Sequence, residues 1–199
     1  MTNYDRFLSS TGRELTESAI RRMGTVVARA ADVVSFAPGY PASELFPWDD
    51  LRTIASDLLT GADPNTLQYG PTRGYAPLLD AIAGILRDRA IAATVNEILI
   101  TSGSQQGIDL IARVLVNPGD VVLVELPTFT GGIAAFKNIR ADVAGVRQEG
   151  DGIDLDDLDD VWRRETGRGK TVKLLYVIPN FQNPTGRLLA LDKRQRLLD

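Results

Sequence analysis

Three short stretches combine residue types that could hold a small anionic ligand. The first is Thr101-Ser102-Gly103-Ser104-Gln105-Gln106-Gly107, which follows the run Ile98-Leu99-Ile100 and opens a segment with Ile108, Leu110, Ile111, Val114 and Leu115 at helical spacing. A strand turning into a helix there leaves first-turn N–H groups uncovered, and the helix dipole adds partial positive charge, the arrangement that binds phosphate. Ser102 or Ser104 acting as an ordinary helix cap is the competing account. The second stretch, Leu126-Pro127-Thr128-Phe129-Thr130-Gly131-Gly132, presents an aromatic face at Phe129. The third, Pro179 to Gly186, carries the amide of Asn183 just before a proline. Together they suit a planar, phosphorylated ring: phosphate at the helix, ring against the phenyl group, and a ring substituent on the amide.

The elements that must position these stretches follow from the apolar pattern. Val121 to Val124 and Val172 to Ile178 are continuous apolar runs, as in strands buried on both faces, and residues 142 to 147 alternate weakly as a further strand. Helical spacing recurs between them, so the fold class is α/β, a mainly parallel sheet with helices on both faces. Ligands of such sheets sit beyond the carboxyl ends of the strands, the edge that all three stretches occupy. Upstream, residues 14 to 29 read as an amphipathic helix and Val33 to Phe36 as a short strand. A helix then begins at Pro47 and Trp48, with Leu51, Ile54, Leu58 and Leu59 as its buried stripe, and another carries Leu78, Leu79, Ile82, Ile85 and Leu86. Tyr69 lies in the turn-rich loop between those two helices, available to a ligand.

Composition removes several classes of chemistry. Without cysteine or histidine the chain has no disulfide, no thiolate metal site and no imidazole base. A net charge of −4 argues against nucleic acid as the main partner, since backbone phosphates call for a basic face. The polar start and the short apolar runs match neither a signal peptide nor a bilayer span, so a soluble, cytoplasmic chain with no membrane partner is expected. The aspartates between Asp151 and Asp160 lack the regular spacing of a calcium loop. They read instead as the acidic start of a helix whose later turns carry Arg163, Arg164 and Arg168.

The segments SFAPGYPASELFP, LQYGPTRGY, TSGSQQGIDL, NPGDVVLVELPTFTG and IPNFQNPTG, in this order, resemble the fold type I, pyridoxal-phosphate-dependent class I/II aminotransferases. The likeness is greatest to the branch with 2-aminoadipate, kynurenine and aromatic aminotransferases. It implies a pyridoxal 5'-phosphate cofactor, amino acid and 2-oxo acid substrates, and a homodimer. By that resemblance Gly103, Ser104 and Gln105 hold the phosphate, Phe129 stacks on the pyridine ring and Asn183 bonds the 3′ oxygen. Tyr69 would reach the phosphate of a neighbouring subunit, and Gly39 would lie near the substrate carboxylate. Arg21 would meet the substrate side chain, or is a surface arginine. Residues 1–45 correspond to an N-terminal helical arm and part of the small domain, and 46–199 to an incomplete large, cofactor-binding domain.

The family's Schiff-base lysine, its pyridinium-binding aspartate and its carboxylate-binding arginine all follow the Asn-Pro-Thr-Gly loop in sequence that this chain does not contain. Lys137, Lys170, Lys173 and Lys193 lack the serine-rich lead-in of that lysine. The chain therefore reads as the N-terminal half of such an enzyme, without catalytic residues of its own and inactive alone. Two other readings are the ligand-sensing domain of a MocR-type transcription regulator and one half of a split enzyme. Borohydride reduction of the chain with pyridoxal phosphate, followed by peptide mapping, is expected to show no stoichiometric phosphopyridoxyl-lysine.

Overall fold

The computed structural model describes residues 4–14, 39 and 41–199. Arg21, the helix expected over 14 to 29 beyond its first residue, and the strand expected at Val33 to Phe36 lie outside the described residues. In chain order the described helices and strands are α1 (Ser10–Glu14), α2 (Trp48–Thr60), α3 (Ala76–Asp88), α4 (Gly103–Leu115), β1 (Val121–Leu126), α5 (Thr130–Asn138), β2 (Asp142–Glu149), β3 (Gly152–Ile153), α6 (Leu155–Gly167), β4 (Val172–Tyr176) and α7 (Leu191–Arg196). They fall into two compact units, one of Met1–Thr16 with Ser102–Asp199 and one of Glu17–Thr101. Among the described residues no helix is long and apolar enough to cross a membrane.

The first unit is built on a four-stranded sheet of order β3-β2-β1-β4. β1 pairs in parallel with β2 from Val121↔Asp142 to Leu126↔Arg147, and with β4 through Val122↔Leu174 to Val124↔Tyr176. β3 adds a short antiparallel ribbon to β2, which the sequence pattern did not reveal. Because side chains alternate across a strand, β1 feeds two cores. Val122 and Val124 pack with Ala112, Val116, Phe136 and Ala141 on one face, and Val121 and Leu123 with Val146, Ile153, Val161 and Leu189 on the other. This double burial is why the run lacks polar alternation. α6 starts where Asp154 accepts N–H bonds from Asp156 and Asp157, each at 3.0 Å, so the acidic stretch acts as a helix cap.

The other unit corrects two expectations. Ile98 to Ile100 is extended but joins no strand among the described residues, and the Ile100 N–H donates to Arg73 O at 2.9 Å. Its neighbour is a loop, so no ladder can form. Gly74, at φ +125°, leaves room for Ile100, whose Cβ would lie 2.7 Å from any Cβ placed there. The α2 stripe is also not buried: Leu51, Ile54, Leu58 and Leu59 are all more than half exposed. An amphipathic helix buries its stripe only against a partner surface, and the described residues supply none for this one. α3 does bury Leu79 and Ala83.

Leu123→Ala is expected to lower unfolding free energy by about 2–5 kcal/mol through the cavity it leaves between β1 and α6. Asp154→Ala should cost about 1 kcal/mol through loss of the cap. Urea denaturation of the two variants checks both values.

Candidate functional site

α4 opens with Ser102 at the N-cap position, but the Ser102 hydroxyl makes no capping bond. The Gln106 side chain instead accepts the Ser102 N–H at 2.5 Å. The serine-cap account of this turn therefore does not apply to Ser102. Gly103 adopts φ +74°, a left-handed conformation that favours glycine, and turns the chain into the helix. Ser104 and Gln105 follow in an exposed first turn that contains no acidic residue. First-turn N–H groups have no partner within their own helix, so this end of α4 is suited to an anion.

Gln105 carries the link to the second stretch. Its Nε2 donates to Gly131 O in the first turn of α5 at 2.9 Å. A Cβ at Gly131 would collide with both the Gln105 amide and the Phe129 ring, so only glycine lets the two side chains meet there. Phe129, at the N-cap position of α5, is half-buried.

Asn183 is exposed, and its loop is held by the residue before it. Gln182 is 2% exposed and donates from Nε2 to Pro127 O at 2.8 Å. Gln148 Nε2 donates to the same carbonyl at 2.7 Å. The stretch carrying Phe129 is thus tied on one side to that carrying Gln105 and on the other to that carrying Asn183, at the carboxyl end of β1. Gly39 and Tyr69 belong to the other unit, where Gly39 is exposed with φ +60° and Tyr69 is 99% exposed.

Sequence reasoning missed Glu125 and Gln182. Glu125 is 1% exposed, accepts the Ile178 N–H at 2.9 Å and lies 3.4 Å from Gln182 Nε2. A lone charge in the run Val-Val-Leu-Val-Glu-Leu was the available signal. Burial pushes the Glu125 carboxyl above its ordinary range, against the opposing pull of the Ile178 N–H and the Gln182 amide. The Tyr176 hydroxyl is raised as well, by burial first and then by the Glu125 charge. Tyr176 itself stacks edge-on against Phe136 at 5.6 Å.

The lysines are occupied elsewhere or lie open. Lys193 is buried, and its ammonium donates to Glu149 Oε2 and Asp151 Oδ1, each at 2.6 Å, and to Ile153 O at 3.0 Å. Burial works against its charge, but the two carboxylates outweigh that and hold it above the usual lysine range. Lys170 pairs with Asp142, Lys173 is exposed on β4, and Lys137 is exposed in the last turn of α5.

The raised Glu125 carboxyl has a definite consequence for stability. Between its unfolded and folded pKa values the native chain binds more protons than the unfolded one, so this residue's contribution falls as pH rises through that window. Glu125→Gln removes the effect. Urea titrations at pH 4 and pH 7 are expected to show the variant gaining stability relative to wild type at the higher pH.

The family described as aminotransferase class I and II matches residues 31–199. Aromatic-amino-acid aminotransferase 1 of Thermococcus litoralis is 37% identical over 99% of this chain and 47% of its own length. The 2-aminoadipate transaminase of Thermus thermophilus is 40% identical over 98% of this chain and 46% of its own length. The crystal structure of Pyrococcus horikoshii kynurenine aminotransferase, in complex with PMP, superposes with a TM-score of 0.89 at 34% identity, covering 98% of this chain and 48% of that one. The chain spans about half the length of the curated relatives it matches. With the family match running through β1, its two parallel neighbours and the loops at their carboxyl ends, this chain belongs to the class I and II aminotransferases.

Proposed function

We propose that this chain provides the phosphate-binding and ring-binding part of a pyridoxal-phosphate-dependent aminotransferase, which moves an amino group between an amino acid and a 2-oxo acid. The observation that carries the reading is the junction at Gly131, where the first turn of α4 is tied through Gln105 to the turn holding Phe129. The donor set fits the cofactor. The N–H groups of Ser104 and Gln105, with the Ser104 hydroxyl, suit a phosphate, and the absence of acid in that turn leaves the helix dipole unopposed. Phe129 offers a flat apolar face for a pyridine ring, and the Asn183 amide a donor for a ring oxygen.

When bound, pyridoxal phosphate supplies the electron sink through which an amino group is exchanged. This chain's residues bind and orient; no proton transfer is assigned to its lysines, since Lys193 is committed to Glu149, Asp151 and Ile153. In the same reading Tyr69 serves the phosphate of a partner subunit in a homodimer, Gly39 borders the substrate carboxylate, and Arg21 meets the substrate side chain. Residues 1–45 then form the arm and part of the small domain, residues 46–199 belong to the cofactor domain, and the protein works in the cytoplasm. The likeness to aromatic and 2-aminoadipate enzymes supports an amino acid with a large side chain as substrate.

Calorimetric titration with pyridoxamine 5'-phosphate tests the reading without requiring turnover. Ser104→Glu, which sets a carboxylate against the phosphate, is expected to weaken binding by about tenfold or more, and Asn183→Ala by a smaller factor. Pyridoxamine without its phosphate should bind far more weakly than the ester. Equal affinity for the two would remove the phosphate site from α4.

A further inference from the structure

Gln182 is buried, yet every hydrogen-bonding position of its amide is used. Nε2 donates to Pro127 O at 2.8 Å and lies 3.4 Å from Glu125 Oε2, while Oε1 accepts the Thr185 N–H at 3.0 Å and lies 2.7 Å from the Thr185 hydroxyl. An amide offers two donors and two acceptor lone pairs, so none remains. Pro127 O is also bonded by Gln148, whose Oε1 lies 3.3 Å from the Thr185 hydroxyl. The network joins the end of β1, the turn leading to Phe129, the chain just after β4 and the loop carrying Asn183.

Its location separates it from ordinary core polarity. Pro127 stands two residues before Phe129, and Gln182 stands immediately before Asn183. The intervening Thr128 is buried and its hydroxyl has no partner among the described residues, so the turn is held through the Pro127 carbonyl rather than through its own side chain. Replacing buried polar groups with apolar ones of similar shape is often neutral for stability. What apolar packing does not supply is direction, because it leaves the loops free to slide against each other, whereas bonds from one amide to both loops fix their separation and angle.

We propose that Gln182, braced by Glu125, is a positioning residue that sets the Asn183 amide against the Phe129 ring and thereby shapes the slot for a planar phosphorylated ring. The inference rests on the cofactor reading above, and its test has one arm that does not depend on any ligand. Gln182→Leu keeps most of the volume and removes all four amide positions. In the ligand-free chain, hydrogen exchange of the Thr185 amide is expected to accelerate by about tenfold, and the NMR resonances of the Phe129 ring to move. Affinity for pyridoxamine 5'-phosphate should fall by about tenfold, while inorganic phosphate, which needs only the first turn of α4, should bind within about twofold of wild type.

Gln182→Glu removes the donors to Pro127 O and Glu125 but keeps the acceptor for Thr185, so it separates hydrogen bonding from space filling. It carries the Phe129 and pyridoxamine phosphate arms of the test if the leucine variant does not fold. It places a second carboxyl group beside Glu125, with the Tyr176 hydroxyl also nearby among the described residues. It should then shift the Phe129 resonances and weaken pyridoxamine 5'-phosphate binding as the leucine variant does, while still accepting the Thr185 N–H. It should recover toward wild type as the pH falls and the carboxyl pair takes up a proton. Unchanged Thr185 exchange in Gln182→Leu overturns the proposal, as does an equal loss of phosphate and pyridoxamine phosphate binding. If wild type takes up no pyridoxamine phosphate, the cofactor reading fails and the exchange arm alone decides. Faster Thr185 exchange with shifted Phe129 resonances then upholds the coupling of the two loops, and unshifted Phe129 resonances refute it.

Discussion

β1 is buried on both faces, and the rest of its unit is arranged around that constraint. Val121 to Leu123 have no exposed surface and Val124 has 2%. A strand in that position needs a helical layer on each side and a parallel neighbour on each edge, which α4 and α5, α6, β2 and β4 supply. The strand can leave this sandwich only at its ends. Its carboxyl end is where Glu125, Pro127 and Phe129 emerge, so the candidate site inherits its placement from hydrophobic burial several residues upstream.

At that edge the governing physics changes from apolar packing to hydrogen bonding. Buried backbone and side-chain polar groups must find partners, and Pro127 O finds two amide donors while the Glu125 carboxylate finds the Ile178 N–H and the Gln182 amide. Gln105 does the corresponding work on the α4 side through Gly131 O. Each tie crosses between loops that would otherwise be joined only through the sheet. A second anchor lies further along the chain, where Ala190 N–H donates to Asp151 O and Lys193 closes onto Glu149, Asp151 and Ile153. The segment containing Asn183 is thus held at both ends while Asn183 itself stays exposed.

Electrostatics at the edge are segregated. The first turn of α4 carries no acid and presents a helix N-terminus, whereas the buried negative group, Glu125, lies at the end of β1 with its charge disfavoured by burial. In the acidic cluster of α6, Asp154 caps the helix, Arg147 lies 3.0 Å from Asp157 and 3.4 Å from Asp154, and Asp159 pairs with Arg163. An anion at α4 therefore meets favourable helix-end dipoles without acidic competition from its own turn.

How much of this was legible in the residues alone follows from the range of each interaction. The burial of β1 was written in four consecutive apolar residues, the start of α6 in Asp154 and its followers, and the Gly103 turn in a glycine between two serines, because each depends on neighbours a few positions away. The meeting of Gln105 with Phe129 at Gly131 was not legible, nor was the use of Glu125 and Gln182, which stand 57 positions apart. The first exists only once α4 and α5 pack together, and the second only once β1 and β4 lie side by side. The same limit explains the two misread elements. Ile98 to Ile100 has the composition of a strand but lies beside a loop, and the apolar stripe of α2 has the right period but no covering surface among the described residues. Sequence determined which segments could be strands, helices and anion-binding turns. Tertiary structure alone decided which polar side chains face one another, since local periodicity carries no information about partners brought together by the fold.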